Sequence, residues 1–255
     1  MTIVASIQAR LGSTRLPGKV LKTINGKPML WHHVQRLKYS RLLDDVIVAT
    51  TTNKHDDEIV EFCRKYNINY YRGSEDDVLD RVASMIEEKS IDIHVECFGD
   101  SPLTDPHIVD EVVGYYLKHK YNYDFVSNSL KTTYPPGQEV LVYDGKCLLE
   151  ANKNIPKDEP LREHVSIHIT QHPEKFRLKN LEAPEYYHHP EVYLEVDTPE
   201  DFEMVSAIFN HFENRGLFHF SLAQILDFLS SNSELVDINN KVERRWKQFR
   251  KEDNV

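Results

Sequence analysis

Residues 2–19 read TIVASIQARLGSTRLPGK. The first seven form an apolar run typical of a strand buried on both faces, and the polar, glycine-bearing stretch ARLGSTRLPGK that follows reads as a loop. From Pro28 to Tyr39 the apolar spacing becomes helical. Strand, loop and helix make the first unit of the chain.

Working outward, the unit repeats. Strands are expected at 45–50 (DVIVAT), 69–71 and 91–97 (IDIHVEC), with helices at 56–66, 76–88 and 106–119. Strands alternating with amphipathic helices predict an α/β fold, a largely parallel sheet with helices on both faces. Past residue 120 the rhythm changes. Strands near 123–127, 138–143, 175–181 and 191–196 and a helical stretch at 159–171 predict mixed or antiparallel additions. A helix at 199–213 follows VDTPED, where Thr198 suits the cap, Pro199 the first turn, and Glu200 and Asp201 the positive helix end. The last forty residues, with FSLAQILDFL and KVERRWKQFRKEDNV, read as two helices and a charged tail. The expected organisation is one domain over 1–215, with a helical extension at 216–255 packed on it.

A chain of 255 residues, 40% of them hydrophobic, buries one substantial core. Its net charge of −10 argues against a nucleic-acid partner. Cys63, Cys97 and Cys147 have neither the number of a disulfide framework nor the spacing of a zinc site. The start of the sequence has no leader pattern, and no apolar run is long enough to span a bilayer, so no membrane partner and a cytoplasmic location are expected.

The loop after the first strand carries the strongest chemical signal. Arg10, Gly12, Ser13, Thr14, Arg15, Gly18 and Lys19 place three cations, two hydroxyls and two glycines at the carboxyl end of a strand, where open α/β sheets hold ligands. Glycines let backbone N–H groups approach phosphate, while Arg offers a planar fork and Lys a point charge. The spacing matches neither the dinucleotide fingerprint nor a Walker A loop. A solvated connection would carry the same charges without using them. Asp100, in GDSP, and Asp197, in VDTPED, each end an expected strand. Two such carboxylates could converge on one hard divalent ion, Mg²⁺ or Mn²⁺. Taken singly, Asp100 could shape a turn and Asp197 could cap the next helix.

The middle motifs are more ambiguous. In RGSEDD, Ser74 or Asp76 could cap a helix, with Asp80 and Arg81 pairing along it. Asn128, Tyr134, Gln138 and Glu139 lie in or beside a Pro/Gly-rich turn able to hydrogen-bond a sugar. Arg162 and His164 offer a cation to an acidic acceptor, or close an ion pair on a helix surface. Tyr186, Tyr187, His188 and His189 lack a third metal ligand at a telling spacing.

The stretch ARLGSTRLPGKVLKTINGKPMLWHHVQRL, followed in order by YRGSEDDVLDRV, GDSPLTDP, TYPPGQEV, REHVSIHI and VDTPEDFE, resembles the cytidylyltransferases that make CMP-activated sugar acids. The CMP-KDO and CMP-sialate synthetases are among them. The resemblance spans roughly residues 1–210 and is nearest to the SpsF-like branch of spore coat polysaccharide synthesis. It implies a nucleotide-diphospho-sugar transferase-like fold, a homodimer, and transfer of CMP from CTP to a sugar acid or sugar-like acceptor with release of pyrophosphate. It places Arg10, Gly12, Ser13, Arg15 and Lys19 on the triphosphate, Gln8 and Ala9 at the base or ribose, and Arg72, Ser74 and Arg81 near nucleotide or acceptor. Asp100 and Asp197 would hold the magnesium. Phe98 departs from the polar Gln of CMP-KDO synthetases at that position, which puts a base or acceptor contact in question. Three alternatives stay open: a glycosyltransferase consuming a nucleotide-sugar, a cytidylyltransferase acting on a phosphonate or phosphate, and a catalytically silent subunit.

Overall fold

A computed structural model describes residues 1–248. The chain alternates as expected through β1 (Ile3–Gln8), α1 (Met29–Leu37), β4 (Asp45–Thr51), α2 (Asp57–Lys65), β5 (Asn69–Gly73), α3 (Val78–Lys89), β6 (Ile93–Phe98) and α4 (Pro106–His119), with a short hairpin that was not expected, β2 (Thr23–Ile24) and β3 (Lys27–Pro28), before α1. It continues with β7 (Phe125–Ser127), β8 (Leu141–Asp144), α5 (Gly145–Asn154), α6 (Ile167–Thr170), β9 (Leu178–Asn180), α7 (Pro199–Glu213), α8 (Leu222–Ser230) and α9 (Ser233–Asn239).

The main sheet has the order β5-β4-β1-β6-β8-β7-β9, and only β8 runs against the rest. Both faces of the central strands are buried, which explains why β1 and β4 read as continuous apolar runs. One face packs on α1, α2, α4, α7 and α8 through residues such as Ile7, Leu30, Phe62, Val109, Phe209 and Ile225. The other packs on α3 and α5 through Val4, Ile47, Leu79, Met85 and Leu148. The result is a mixed, mainly parallel sheet between two helical layers. The FSLAQILDFL helix spends its apolar face on the core, with Leu222, Ile225, Leu226 and Leu229 buried.

Chain order fixes where a ligand can enter. From β1 the chain steps to β4 and β5 on one side, then crosses back to β6 on the other. The carboxyl ends of β1 and β6 therefore flank a switch point, where outgoing loops diverge and leave a crevice.

Several expectations need correction. Residues 191–196 are irregular rather than a strand, tied by single bonds from Leu194 N to Pro136 O (2.7 Å) and Val196 N to Asp100 O (2.7 Å). The helical stretch at 159–171 is a 3-10 turn at Pro160–Glu163 and the single turn of α6. Helix α5 was not expected; Asp144 caps it by accepting from Lys146 N. The second C-terminal helix is α9, from SSNSELVDIN, while Lys241 onward starts irregular and forms only a 3-10 turn at Arg245–Gln248. The remaining tail, 249–255, lies outside the described residues.

Candidate active site

The loop after β1 is anchored from below. Ala9 N donates to Ala49 O (3.1 Å), Leu11 N to the Asp56 carboxylate (2.8 Å), and Gly18 N to Leu11 O (3.1 Å), so residues 11–18 close on themselves. Leu11 and Leu16 sink into the core while Gly12, Ser13 and Arg15 line a cleft of about 450 Å³ with Gln8, Arg10, Lys19, Asp100 and Asp197. Across the switch point, a Cβ on Gly99 would lie 2.1 Å from Gln8 O. Only glycine lets the end of β6 approach β1 this closely, and that approach brings Asp100 beside the loop.

Asp197 reaches the same point by another route. The cap of α7 is Thr198, whose side chain forms a reciprocal box with Asp201. Asp201 also accepts from Asp197 N (2.9 Å), leaving the Asp197 carboxylate free to face the cleft. Capping is therefore not its role.

Lys19 Nζ lies 2.8 Å from Asp197 Oδ1, 2.7 Å from Val196 O and 3.6 Å from Asp100 Oδ2. Arg15 donates to Asp197 Oδ2 at 2.6 Å and to Glu243 O at 3.0 Å. Burial raises the Asp100 carboxyl, and the negative Asp197 pushes the same way against Lys19. For Asp197 burial also pushes upward, but Lys19 and Arg15 outweigh it and hold the carboxyl low. Burial works to lower the Lys19 ammonium, and the two aspartates overcome it and raise it. Two carboxylates thus converge on one cation, the arrangement a hard divalent ion needs when phosphate and water complete its shell. Among the described residues no group of three acidic, His or Cys side chains is gathered for a metal, the Tyr186–His189 cluster included.

Other predicted site residues are placed differently. Arg72 is committed to Asp57 (2.7 Å), Thr51 O (2.8 Å) and Asn53 O (3.0 Å), and Ser74 Oγ accepts from Asp77 N (3.1 Å). Asp77, not Ser74 or Asp76, caps α3. Arg81 is buried and donates to Ser74 O (2.7 Å) rather than pairing with Asp80, which takes Lys157. Burial, with the charge of Arg10 nearby, pushes its guanidinium down to about 10. Asn128 and Gln138 are buried and satisfied within the fold. Asn128 bonds Gln138 O and Val140 N, and Gln138 bonds Asp105 N and Leu103 O. Tyr134 is buried in the core. Arg162 is buried against Asp77 (2.8 Å), Asn152 and Ile155 O. Asn128, Gln138 and Arg162 spend their polar groups on the framework, and neither they nor Tyr134 line the cleft. Glu139 accepts from Gly137 N (2.8 Å), and His164 is exposed.

Residues 4–234 match the family model described as Cytidylyltransferase. The chain belongs to the cytidylyltransferase family. It is 39% identical over 250 residues to an uncharacterized protein of Methanocaldococcus jannaschii, covering 98% of each chain. It is 30% identical to the spore coat polysaccharide biosynthesis protein SpsF of Bacillus subtilis, covering 91% of this chain and 95% of that one. With the 8-amino-3,8-dideoxy-manno-octulosonate cytidylyltransferase of Shewanella pealeana it shares 27% identity over 81% and 98% of the two chains. Among solved structures, a cytidylyltransferase from Leptospira borgpetersenii superposes with a TM-score of 0.87 at 28% identity, covering 96% of this chain and all of that one.

In this cytidylyltransferase the segment after α9 packs beside the cleft, a placement that sequence reasoning missed. Arg244 pairs with the fully buried Asp201 (2.8 Å) and lies 3.5 Å from Glu195, and Trp246 Nε1 donates to Glu195 (2.8 Å). Burial, then the nearby Glu139 and Asp100, pushes Glu195 up to about 8. Glu163 was missed as well; it stands 3.5 Å from Arg10 at the rim. No local motif in the C-terminal sequence announces contacts with residues that far upstream.

Proposed function

We propose that the chain transfers a cytidylyl group from CTP to a sugar acid or related sugar-like acceptor, releasing pyrophosphate. The observation that carries this reading is the Asp100–Lys19–Asp197 convergence beside a Gly/Arg/Ser/Lys loop at the sheet switch point. An acceptor oxygen attacks the α-phosphorus and loses its proton to solvent, the new P–O bond forms, and the α–β anhydride bond breaks. Arg15 and Lys19 turn from Asp197 toward the phosphates and neutralise charge on the departing pyrophosphate. Asp100 and Asp197 would hold magnesium, which when bound supplies Lewis-acid polarisation of phosphate oxygens. The acceptor class draws on the motif resemblance and on the names of the Bacillus and Shewanella relatives. The resemblance also carries a proposed homodimer, which light scattering reads directly.

The test is pyrophosphate release with Mg²⁺, each of the four nucleoside triphosphates, and a panel of sugar acids, sugar phosphates and phosphonates, with products weighed by mass spectrometry. A CMP-linked sugar acid is expected. Sugar transfer from a nucleotide-sugar with no pyrophosphate release from any triphosphate would overturn the proposal.

A further inference from the structure

A line of buried polar side chains runs beneath the cleft on the face of the sheet that carries α3. Gln8 Nε2 donates to Ser6 Oγ (2.9 Å), Ser6 Oγ meets His94 Nε2 (2.7 Å), His94 Nδ1 meets Tyr143 Oη (2.9 Å), and Tyr143 Oη donates to Glu96 (3.1 Å). Ser6, His94 and Tyr143 are fully buried and Glu96 nearly so. The register explains the line: Ser6 sits opposite Glu96, and His94 opposite Tyr143, on adjacent strands. Only Gln8, at the end of β1, reaches the cleft.

The line has a direction. Burial pushes the His94 imidazole down to about 3, so it is neutral, with one nitrogen donating and the other accepting. Burial lifts the Glu96 carboxyl to about 7, and above that pH it is ionised and only accepts. Tyr143 therefore donates to Glu96, His94 Nδ1–H to Tyr143, and Ser6 O–H to His94 Nε2. Ser6 oxygen is then left to accept from the Gln8 amide, which must turn its NH₂ inward. Among the described residues the Gln8 Oε1 has no donor, and it is the amide atom left for a ligand.

We propose that Gln8 is a specificity-determining residue whose amide oxygen, oriented by Ser6, His94, Tyr143 and Glu96, selects cytosine over uracil. The inference rests on the proposed use of CTP. Cytosine presents an amino donor at its 4-position, and uracil an oxygen. A freely rotating glutamine would read both by flipping. The buried line removes the flip, so uracil sets oxygen against oxygen. Ser6, His94, Tyr143 and Glu96 are positioning residues.

Calorimetric binding of CTP and of UTP to the full chain with MgCl₂, at about pH 8.5 so that Glu96 is ionised, tests this without knowing the acceptor. The wild type is expected to favour CTP roughly 10-fold or more. Gln8→Ala should erase most of that preference by weakening CTP, whereas Ser6→Ala should erase it by strengthening UTP, because the amide can then flip. A purely structural role for Ser6 would weaken both alike. An unchanged ratio in Gln8→Ala, equal binding of both nucleotides by the wild type, or parallel loss in Ser6→Ala overturns the inference while the nucleotide site stands. Saturable binding of neither nucleotide overturns the functional proposal, and this inference with it.

Discussion

Asp197 shows how one carboxylate is left to face the cleft. Its neighbours Thr198 and Asp201 satisfy the helix end, so its carboxylate meets Lys19 and Arg15 instead. Asp197→Asn is expected to keep the fold by circular dichroism and lose on the order of 10²–10³ in turnover, the scale of a lost electrostatic anchor. Near wild-type turnover would contradict that role. Glu96 makes a separate prediction about stability. Burial lifts its carboxyl from 4.5 to about 7, so the folded chain holds that proton more tightly than the unfolded one. The stabilisation is complete below pH 4.5 and is lost as pH rises through 7. Glu96→Gln removes the titration, and its melting temperature relative to wild type should rise between about pH 5 and about pH 8.5. A pH-independent difference would show that Glu96 does not titrate in that window.

At the scale of elements, the ends of β1 and β6 touch only because position 99 lacks a side chain. Gly99→Ala should cost about 2 kcal/mol or more in urea unfolding, since the clash is with backbone that has no rotamer to yield. A loss below about 0.5 kcal/mol would mean the strand ends separate freely. The local patterns that place these elements were legible in sequence. The apolar run of β1, the helical pattern at 106–119 and the Thr198-Pro199 start of α7 are short-range signals, and those helices lie where the pattern puts them. The stretch at 191–196 alternates like a strand, but it pairs with single backbone groups of Pro136 and Asp100 instead of a neighbouring strand. Side-chain alternation records burial, and burial alone does not make a ladder. Asn128, Gln138 and Arg162 misled for a related reason. A polar residue in a loop motif reads the same whether it satisfies buried backbone or waits for a ligand.

Over the whole molecule, residues more than 170 apart in sequence meet at one point, with Lys19 on Asp197 and Arg15 on both Asp197 and Glu243. The two aspartates were legible from GDSP, which follows β6, and from VDTPED, which opens α7, although the strand expected before Asp197 is irregular chain. The contribution of Arg244 was not, because its partners Asp201 and Glu195 are about forty and fifty residues upstream. Arg244→Ala strands a buried carboxylate and should cost roughly 3–5 kcal/mol in chemical denaturation. A loss under about 1 kcal/mol would show that the C-terminal segment is not part of the folded unit. Which phosphate moves, and which residues move it, defines the proposed reaction. The deciding measurement is single-turnover reaction of α-phosphate-labelled CTP with Mg²⁺ and a panel of sugar acids, in wild type and Asp100→Asn. The account predicts label in a CMP-sugar acid with wild type, pyrophosphate released unlabelled, and transfer at least about 100-fold slower in the folded variant. Wild-type transfer by Asp100→Asn, or label left entirely in unreacted CTP by a wild type that binds it, would contradict the account.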